Sequence, residues 1–425
     1  MSNKSNKLGI LVSGGPAPGI NGVIHSATIE AINNGHEVFG IYDGFKHLMN
    51  SEMVGRPLTI NDVSRIYHQG GSILRTSRSN PTKAEATLRR CGQALIEGNI
   101  GYLLVIGGDD TSYSAYRVAL YAQEHMGADI QVAHVPKTID NDLPLPEEIN
   151  TFGYETAREV GMNITMNLME EALTGSRWFV VVTMGRKTGH LALGIGKSSG
   201  ATLTIIPEEW DSRQIHMQEV VDILATSIVQ RLAEGKPYGV ALVSEGVMEQ
   251  MAHEDLHELE YVARDAYGHV HLSEINFSDI LKREVDKELE ALDVPIRMTG
   301  QDLGYELRCA NPIAFDVDYT RSLGEAAVAF LLEGGTNSTV TIQGTRVVPI
   351  PFAEMMNPAT GRTEVREVSL DSFIYRSAYK LMIRLKPESV ENEKLLDQMA
   401  MQTNLSPDDF RARFGYLVDL APRPF

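Results

Sequence analysis

A chain of 425 residues exceeds the length at which a single hydrophobic core usually stops growing, so two domains are expected. Apolar residues make up 43% and charged residues 22%, the balance of an ordinary folded protein and not that of a disordered or fibrous one. A net charge of −18 argues against nucleic acid or an anionic membrane as a partner, and it makes any local cluster of Arg and Lys informative, because an anionic substrate would need one.

Residues 1–7 are polar and lead into an apolar run, 8–12, that is too short for a signal peptide. No later stretch approaches the length of a membrane-spanning helix. Two cysteines, Cys91 and Cys309, form neither a disulfide framework nor a Cys-rich metal site, so a reducing, cytoplasmic setting is expected. The run 8–12 ends in Ser13-Gly14-Gly15, and helical spacing follows over 18–33. The run 102–106 ends in Gly107-Gly108-Asp109, with helical spacing over 111–125. Next comes 130–135 before Pro136-Lys137, then 156–173, where Val160, Ile164, Leu168 and Ala172 recur every four residues and define one buried face. The runs 178–183 and 238–243 end in Met184-Gly185-Arg186 and Ser244-Glu245-Gly246.

Short runs rich in Val, Ile and Leu and apolar throughout suit buried parallel strands. Their alternation with helices predicts an α/β fold of mostly parallel, doubly wound sheets, in which ligands bind at the carboxyl ends of the strands. Residues 196–207 and the charged stretch 249–290 read as a second region, with 282–292 as a solvated helix. Beyond about Gly335 the chain reads as polar and irregular, punctuated by Gly334-Gly335 and Asn357-Pro358, and is expected to be an extension packed on the core.

The chemistry lies in the strand endings. Ser13-Gly14-Gly15-Pro16-Ala17-Pro18-Gly19 follows a strand and opens a helix. It is either a tight turn or a loop whose backbone N–H groups and helix terminus hold a phosphate. Gly107-Gly108-Asp109-Asp110 places two carboxylates at a helix start, as caps or as a metal ligand beside a phosphate. Pro136-Lys137-Thr138-Ile139-Asp140-Asn141-Asp142 gathers a cation, a hydroxyl and two acids, either an Asx-rich turn or a place where an acid takes a hydroxyl proton during phosphoryl transfer. Met184-Gly185-Arg186-Lys187 offers paired cations in an acidic protein. Glu245 is a lone carboxylate at a strand end, and Tyr305-Glu306-Leu307-Arg308 holds an Arg suited to a phosphate or to a surface ion pair.

In order and spacing these six motifs resemble the phosphofructokinase family over roughly residues 7–324. The resemblance implies two Rossmann-like three-layer domains with the active site in the cleft between them: 1–150 for the phosphoryl donor and metal, and 151–335 for fructose 6-phosphate, partly crossing back to the first. Residues 336–425 would be the extension. It implies Asp140 as general base for the sugar 1-hydroxyl, Asp109 as the Mg²⁺ carboxylate, and Gly14, Gly15 and Gly108 at the donor. Thr138, Asp142, Met184, Gly185, Arg186, Glu245, Tyr305 and Arg308 would contact the sugar phosphate. Arg78 matches a family Arg near the transferred group. Arg177 matches one that reaches a neighbouring subunit's substrate, which implies a homodimer or homotetramer.

ATP-using bacterial members carry Gly where this chain has Asp110 and Lys137, and members of the pyrophosphate-using branch are similar to it at both. The Asp side chain fills the space of a nucleotide α-phosphate, and the Lys supplies charge to a small, highly charged donor. The implied reaction is reversible transfer from pyrophosphate to fructose 6-phosphate, giving fructose 1,6-bisphosphate and phosphate. An ATP-dependent enzyme of the same fold and a non-catalytic regulatory subunit are the alternatives. A dinucleotide-binding oxidoreductase is disfavoured, because two prolines follow Gly14-Gly15 where Gly-x-Gly-x-x-Gly would be needed. Three positions depart from the family pattern: Arg75 stands where Gly is usual, Cys309 follows Arg308 in place of Gly, and Arg297 lies only near the family's second inter-subunit Arg.

Overall fold

In the first sheet, side chains alternate between two faces with the period of two that a strand imposes. From β1 (Lys7–Val12), Leu8, Ile10 and Val12 face one way and Leu11 the other. β4 (Tyr102–Gly107) and β5 (Gln131–Pro136) repeat the pattern, with Leu104, Ile106, Ala133 and Val135 on the first face and Leu103, Val105 and Val132 on the second. The first face is covered by helices Ile20–Asn33 and Ala314–Leu332, the second by Glu85–Glu97 and Asp109–Met126, giving three layers. This computed structural model describes residues 5–252, 255, 276–356 and 363–420.

Six further strands complete the two sheets of the described residues together with β6 (Trp178–Thr183) and β8 (Gly239–Ser244): β2 (Glu37–Ile41), β3 (Gly55–Pro57), β7 (Leu203–Ile205), β9 (Met298–Leu303) and the pair β10 (Ser338–Gln343) and β11 (Arg346–Pro351). The first sheet has the order β11-β10-β5-β4-β1-β2-β3, the second β7-β8-β6-β9. The first is parallel from β10 to β2, with antiparallel β11 and β3 at its edges. The second is parallel throughout. Because β1 lies between β2 and β4, the connections leave it in opposite directions, and the loops after β1 and β4 flank a switch point of the kind that admits ligands in open α/β sheets.

The chain divides into two units, Met1–Ala157 with Tyr305–Arg366, and Arg158–Gly304 with Glu367–Phe425. The linear boundaries expected at 150 and 335 are redrawn, because β10 pairs with β5 and helix Ala314–Leu332 packs on Ile20–Asn33. The stretch after Gly335 is not irregular: it supplies β10 and β11. Two of its threonines, Thr339 and Thr341, are fully buried within β10, so their polarity concealed a strand. Helix Phe277–Ala291 is not simply solvated either, since Phe277, Leu281, Val285 and Leu289 form a buried stripe among its charges. The rest of the charged region 249–290 falls largely outside the described residues, as does Asn357-Pro358. Among the described residues no helix is long and apolar enough to cross a membrane.

In the second unit the last four helices, from Phe373 to Phe414, pack on the core built around Trp178, Trp210 and helix Met217–Ala233. They are anchored by a buried ion pair, Arg384 Nη1 to Glu209 Oε2 at 2.9 Å, both side chains at most 2% exposed. Tyr375 donates to the other Glu209 oxygen at 2.9 Å. Removing one member of such a pair strands a charge in low dielectric. Arg384→Ala is expected to cost about 3–5 kcal/mol, read as a lowered urea midpoint.

Candidate active site

Three strand ends of the first unit lie side by side, Val12 beside Ile106 and Gly107 beside Pro136, so the three loops that follow them are neighbours. The loop after β1 is tied down by Gly14 N donating to Ser77 O (2.9 Å) and by Thr76 Oγ1 donating to Gly14 O (2.7 Å). Gly14 has φ +87°, a conformation that favours glycine. The helix Ile20–Asn33 begins after Gly19 with no side-chain cap, and Gly22 N donates to Gly19 O at 2.9 Å. After β4, Gly108 precedes the helix Asp109–Met126, whose first two residues are Asp109 and the exposed Asp110. Two carboxylates there complement the positive end of the helix dipole.

Lys137 follows β5 and is only 4% exposed. Its Nζ donates to Gly15 O at 2.5 Å and lies 3.6 Å from where a Cβ on Gly14 would stand. Burial pushes its ammonium down to about 8; Arg308 and Arg78 push the same way, against Asp140 and Asp142. The Arg308 guanidinium is 3.6 Å from a Cβ position on Gly15 and 5.3 Å from the Tyr305 ring. The structure therefore brings Gly14, Gly15, Lys137, Asp140, Asp142, Arg78, Tyr305 and Arg308 together within the first unit, with Gly108, Asp109 and Asp110 on the adjacent strand end. Thr138 Oγ1 accepts from Asp140 N at 3.0 Å and shapes the loop that carries the acid.

The second unit holds its own constellation. Ser244 Oγ donates to Gly185 O (3.1 Å) and Thr188 O (3.3 Å), and Gly246 N donates to Gly185 O (3.0 Å). These bonds bind the end of β8, with Glu245, to the Met184-Gly185-Arg186 loop after β6. Arg186 Nε meets Glu249 Oε2 at 3.3 Å. Arg177 is not part of this group: it precedes β6, and the strand's six residues carry Met184 to the opposite end of the sheet.

Two buried acids that organise these loops were missed in the sequence. Glu208 accepts from Gly189 N with both oxygens (2.9 and 3.1 Å) and from Val368 N (3.0 Å), fixing the loop that starts at Met184; burial raises its carboxyl to about 7. Asp316 accepts from Gly153 N and Thr156 N at 2.8 Å, capping the helix Tyr154–Gly175. Both partner sets are distant in sequence, so no local pattern marks them. Arg75, the departure from the family's Gly, sits at φ +58°, where Gly is at home; Asp43 (3.5 Å) and the Tyr42 ring hold it.

Residues 7–331 match the phosphofructokinase family. The chain belongs to that family. It is 47% identical to the "Pyrophosphate--fructose 6-phosphate 1-phosphotransferase" of Thermotoga maritima over 98% of this chain and all of that protein. It is 46% identical to the protein of the same name in Naegleria fowleri, over 97% of this chain and 95% of that one. In fold it is similar to a solved pyrophosphate-dependent phosphofructokinase from Nitrosospira multiformis, with TM-score 0.68 and 17% identity over 93% of this chain and 91% of that one.

Family enzymes generally use a divalent metal. No group of three or more His, Cys, Asp or Glu able to hold one occurs among the described residues. A divalent cation bound through one or two carboxylates plus substrate phosphates and water needs no such cage; the carboxylates nearest the Gly14-Gly15 loop along the sheet edge include Asp109 and Asp110 at the helix start after β4.

Lys137 is charged below its pKa of about 8 and neutral above it. The affinity advantage of the wild type over Lys137→Met for inorganic pyrophosphate, by calorimetry, is expected to be largest near pH 6.5 and to shrink as pH rises through about 8.

Proposed function

We propose that this phosphofructokinase-family enzyme transfers a phosphoryl group reversibly between pyrophosphate and the 1-hydroxyl of fructose 6-phosphate, forming fructose 1,6-bisphosphate and phosphate. The observation that carries the donor assignment is the buried Lys137 ammonium aimed at the Gly14-Gly15 loop, with Asp110 on the neighbouring helix start. A cation at that depth favours a compact, multiply charged ligand close to the backbone. The Asp110 carboxylate narrows and makes negative the space an extended nucleotide would need. The relatives' shared name supports the same donor and acceptor.

Asp140 takes the proton of the 1-hydroxyl as its oxygen attacks phosphorus, while Lys137 and the backbone N–H groups of the Gly14-Gly15 loop stabilise charge on the transferring group. Thr138 and Asp142 flank the base, and Arg78 stands near the transferred phosphoryl. Met184, Gly185, Arg186, Glu245, Tyr305 and Arg308 hold the sugar phosphate. Asp109 would hold Mg²⁺, which when bound neutralises donor oxygens. A homodimer or homotetramer completed by Arg177, in the cytoplasm, goes with this reading.

Fructose 1,6-bisphosphate formation is to be followed with pyrophosphate and ATP supplied in parallel. Turnover with pyrophosphate alone is the expected result; turnover with ATP alone overturns the donor assignment and leaves the acceptor standing. Asp140→Asn is expected to lose turnover on the order of a thousandfold with sugar-phosphate binding retained; kcat near the wild-type value removes Asp140 as the base.

A further inference from the structure

The loop between β5 and the helix starting at Tyr154 carries Asp140, yet from Thr138 to Asn150 it has no regular secondary structure. Its backbone carbonyls need donors from elsewhere. One side chain reaches four of them. Arg366, in the first unit, donates from Nε to Asn141 O at 3.1 Å and from Nη2 to the same oxygen at 2.9 Å. Nη2 also meets Asn141 Oδ1. Nη1 reaches Ile149 O at 2.7 Å, Pro146 O at 3.2 Å and, more weakly, Leu145 O at 3.4 Å. The Arg366 backbone N–H adds Asp142 O at 2.9 Å.

These contacts bracket Asp140. Asn141, the next residue, adopts φ +57°, an uncommon conformation for a residue with a side chain, and is 5% exposed. Its carbonyl and its side-chain oxygen are both bonded by Arg366, and that side-chain oxygen also accepts from Thr151 N at 3.0 Å. On the other side, Asp140 N is held by Thr138 Oγ1. The direction in which the acid leaves the backbone is set by the peptide that follows it. That peptide stays in place because a planar five-donor fork spans both limbs of the loop.

We propose that Arg366 is a positioning residue for Asp140: it touches no reacting atom, and it fixes the loop geometry from which the base acts. The proposal rests on Asp140 being the base. It gives the stretch between β11 and the C-terminal helices a part in the reaction that its sequence position, outside the matched residues 7–331, does not suggest. The requirement is geometric. A lysine keeps the charge but presents one point donor cluster in place of the fork, so it cannot hold Asn141 O and Ile149 O at once.

The test compares wild type, Arg366→Lys, Arg366→Ala and Asp140→Asn for kcat, for KM of both substrates and for urea midpoint. In folded protein, both Arg366 variants are expected to lose kcat on the order of a hundredfold, as a misplaced catalytic group does. The pyrophosphate KM should stay within about threefold, because the Gly14-Gly15 loop is untouched. Added guanidinium ion should restore part of the kcat of Arg366→Ala and none of that of Asp140→Asn. Where Arg366→Ala does not fold, Arg366→Lys decides. A kcat within about twofold of wild type in either folded variant overturns the proposal, as does a loss that tracks the unfolded fraction and is not rescued. Wild type inactive with pyrophosphate but active with ATP would move the comparison to ATP, separating failure of the donor assignment from failure of this one. Full turnover by Asp140→Asn would overturn base and positioning role together.

Discussion

Burying an ammonium in a protein is costly unless its surroundings replace the water it loses, and the arrangement around Lys137 follows from that requirement. The carbonyl of Gly15 takes one of its hydrogens, and Asp140 and Asp142 favour its charged form while Arg308 and Arg78 oppose it. Three cations gathered beside a glycine-rich turn and a helix start without a side-chain cap, in a protein of net charge −18, support the proposed binding of a small polyanion there. Burial, joined by Arg308 and Arg78, lowers the pKa of Lys137 and thereby sets the pH range over which the proposed site would attract such a ligand.

The loops that bear the proposed catalytic groups are held by buried polar side chains, not by secondary structure. Asp316 receives the N–H groups at the start of the helix Tyr154–Gly175, Glu208 those of Gly189 and Val368, and Arg366 supplies donors to the carbonyls around Asn141. Each acts on backbone far away in sequence. This is an economical way to fix irregular loops, because one carboxylate or guanidinium satisfies several backbone groups that a dry interior would otherwise penalise. It also explains why residues past the matched family region matter. Arg366 is bonded to the loop that carries Asp140, and Val368, only two positions on, shares Glu208 with Gly189 in the loop after β6.

Conspicuous strand endings made much of the candidate site legible. Lys137, Asp140 and Asp142 drew notice because paired acids and a cation directly after an apolar run are an expensive combination for a mere turn. Helix starts were placed within two residues, at Ile20, Asp109 and Tyr154 against 18, 111 and 156. Strands that do not read as apolar runs were not seen. β9 carries Gly300, Gln301 and Asp302, and β10 carries Ser338, Thr339 and Thr341, so composition spoke for loop while pairing with β6 and β5 decided for strand.

What the sequence by itself determined is the chemistry available at each strand end and the α/β alternation that gathers those ends on one edge of a parallel sheet. Both follow from local rules of periodicity and turn chemistry. The tertiary structure alone decided that the crossing back starts at Tyr305 and carries β10 and β11 into the first sheet, that Arg177 stands at the opposite end of β6 from Arg186, and that Glu208, Asp316 and Arg366 are the supports of the loops. Those outcomes depend on which buried backbone groups lacked a partner once the sheets had formed, and a linear pattern holds no record of that.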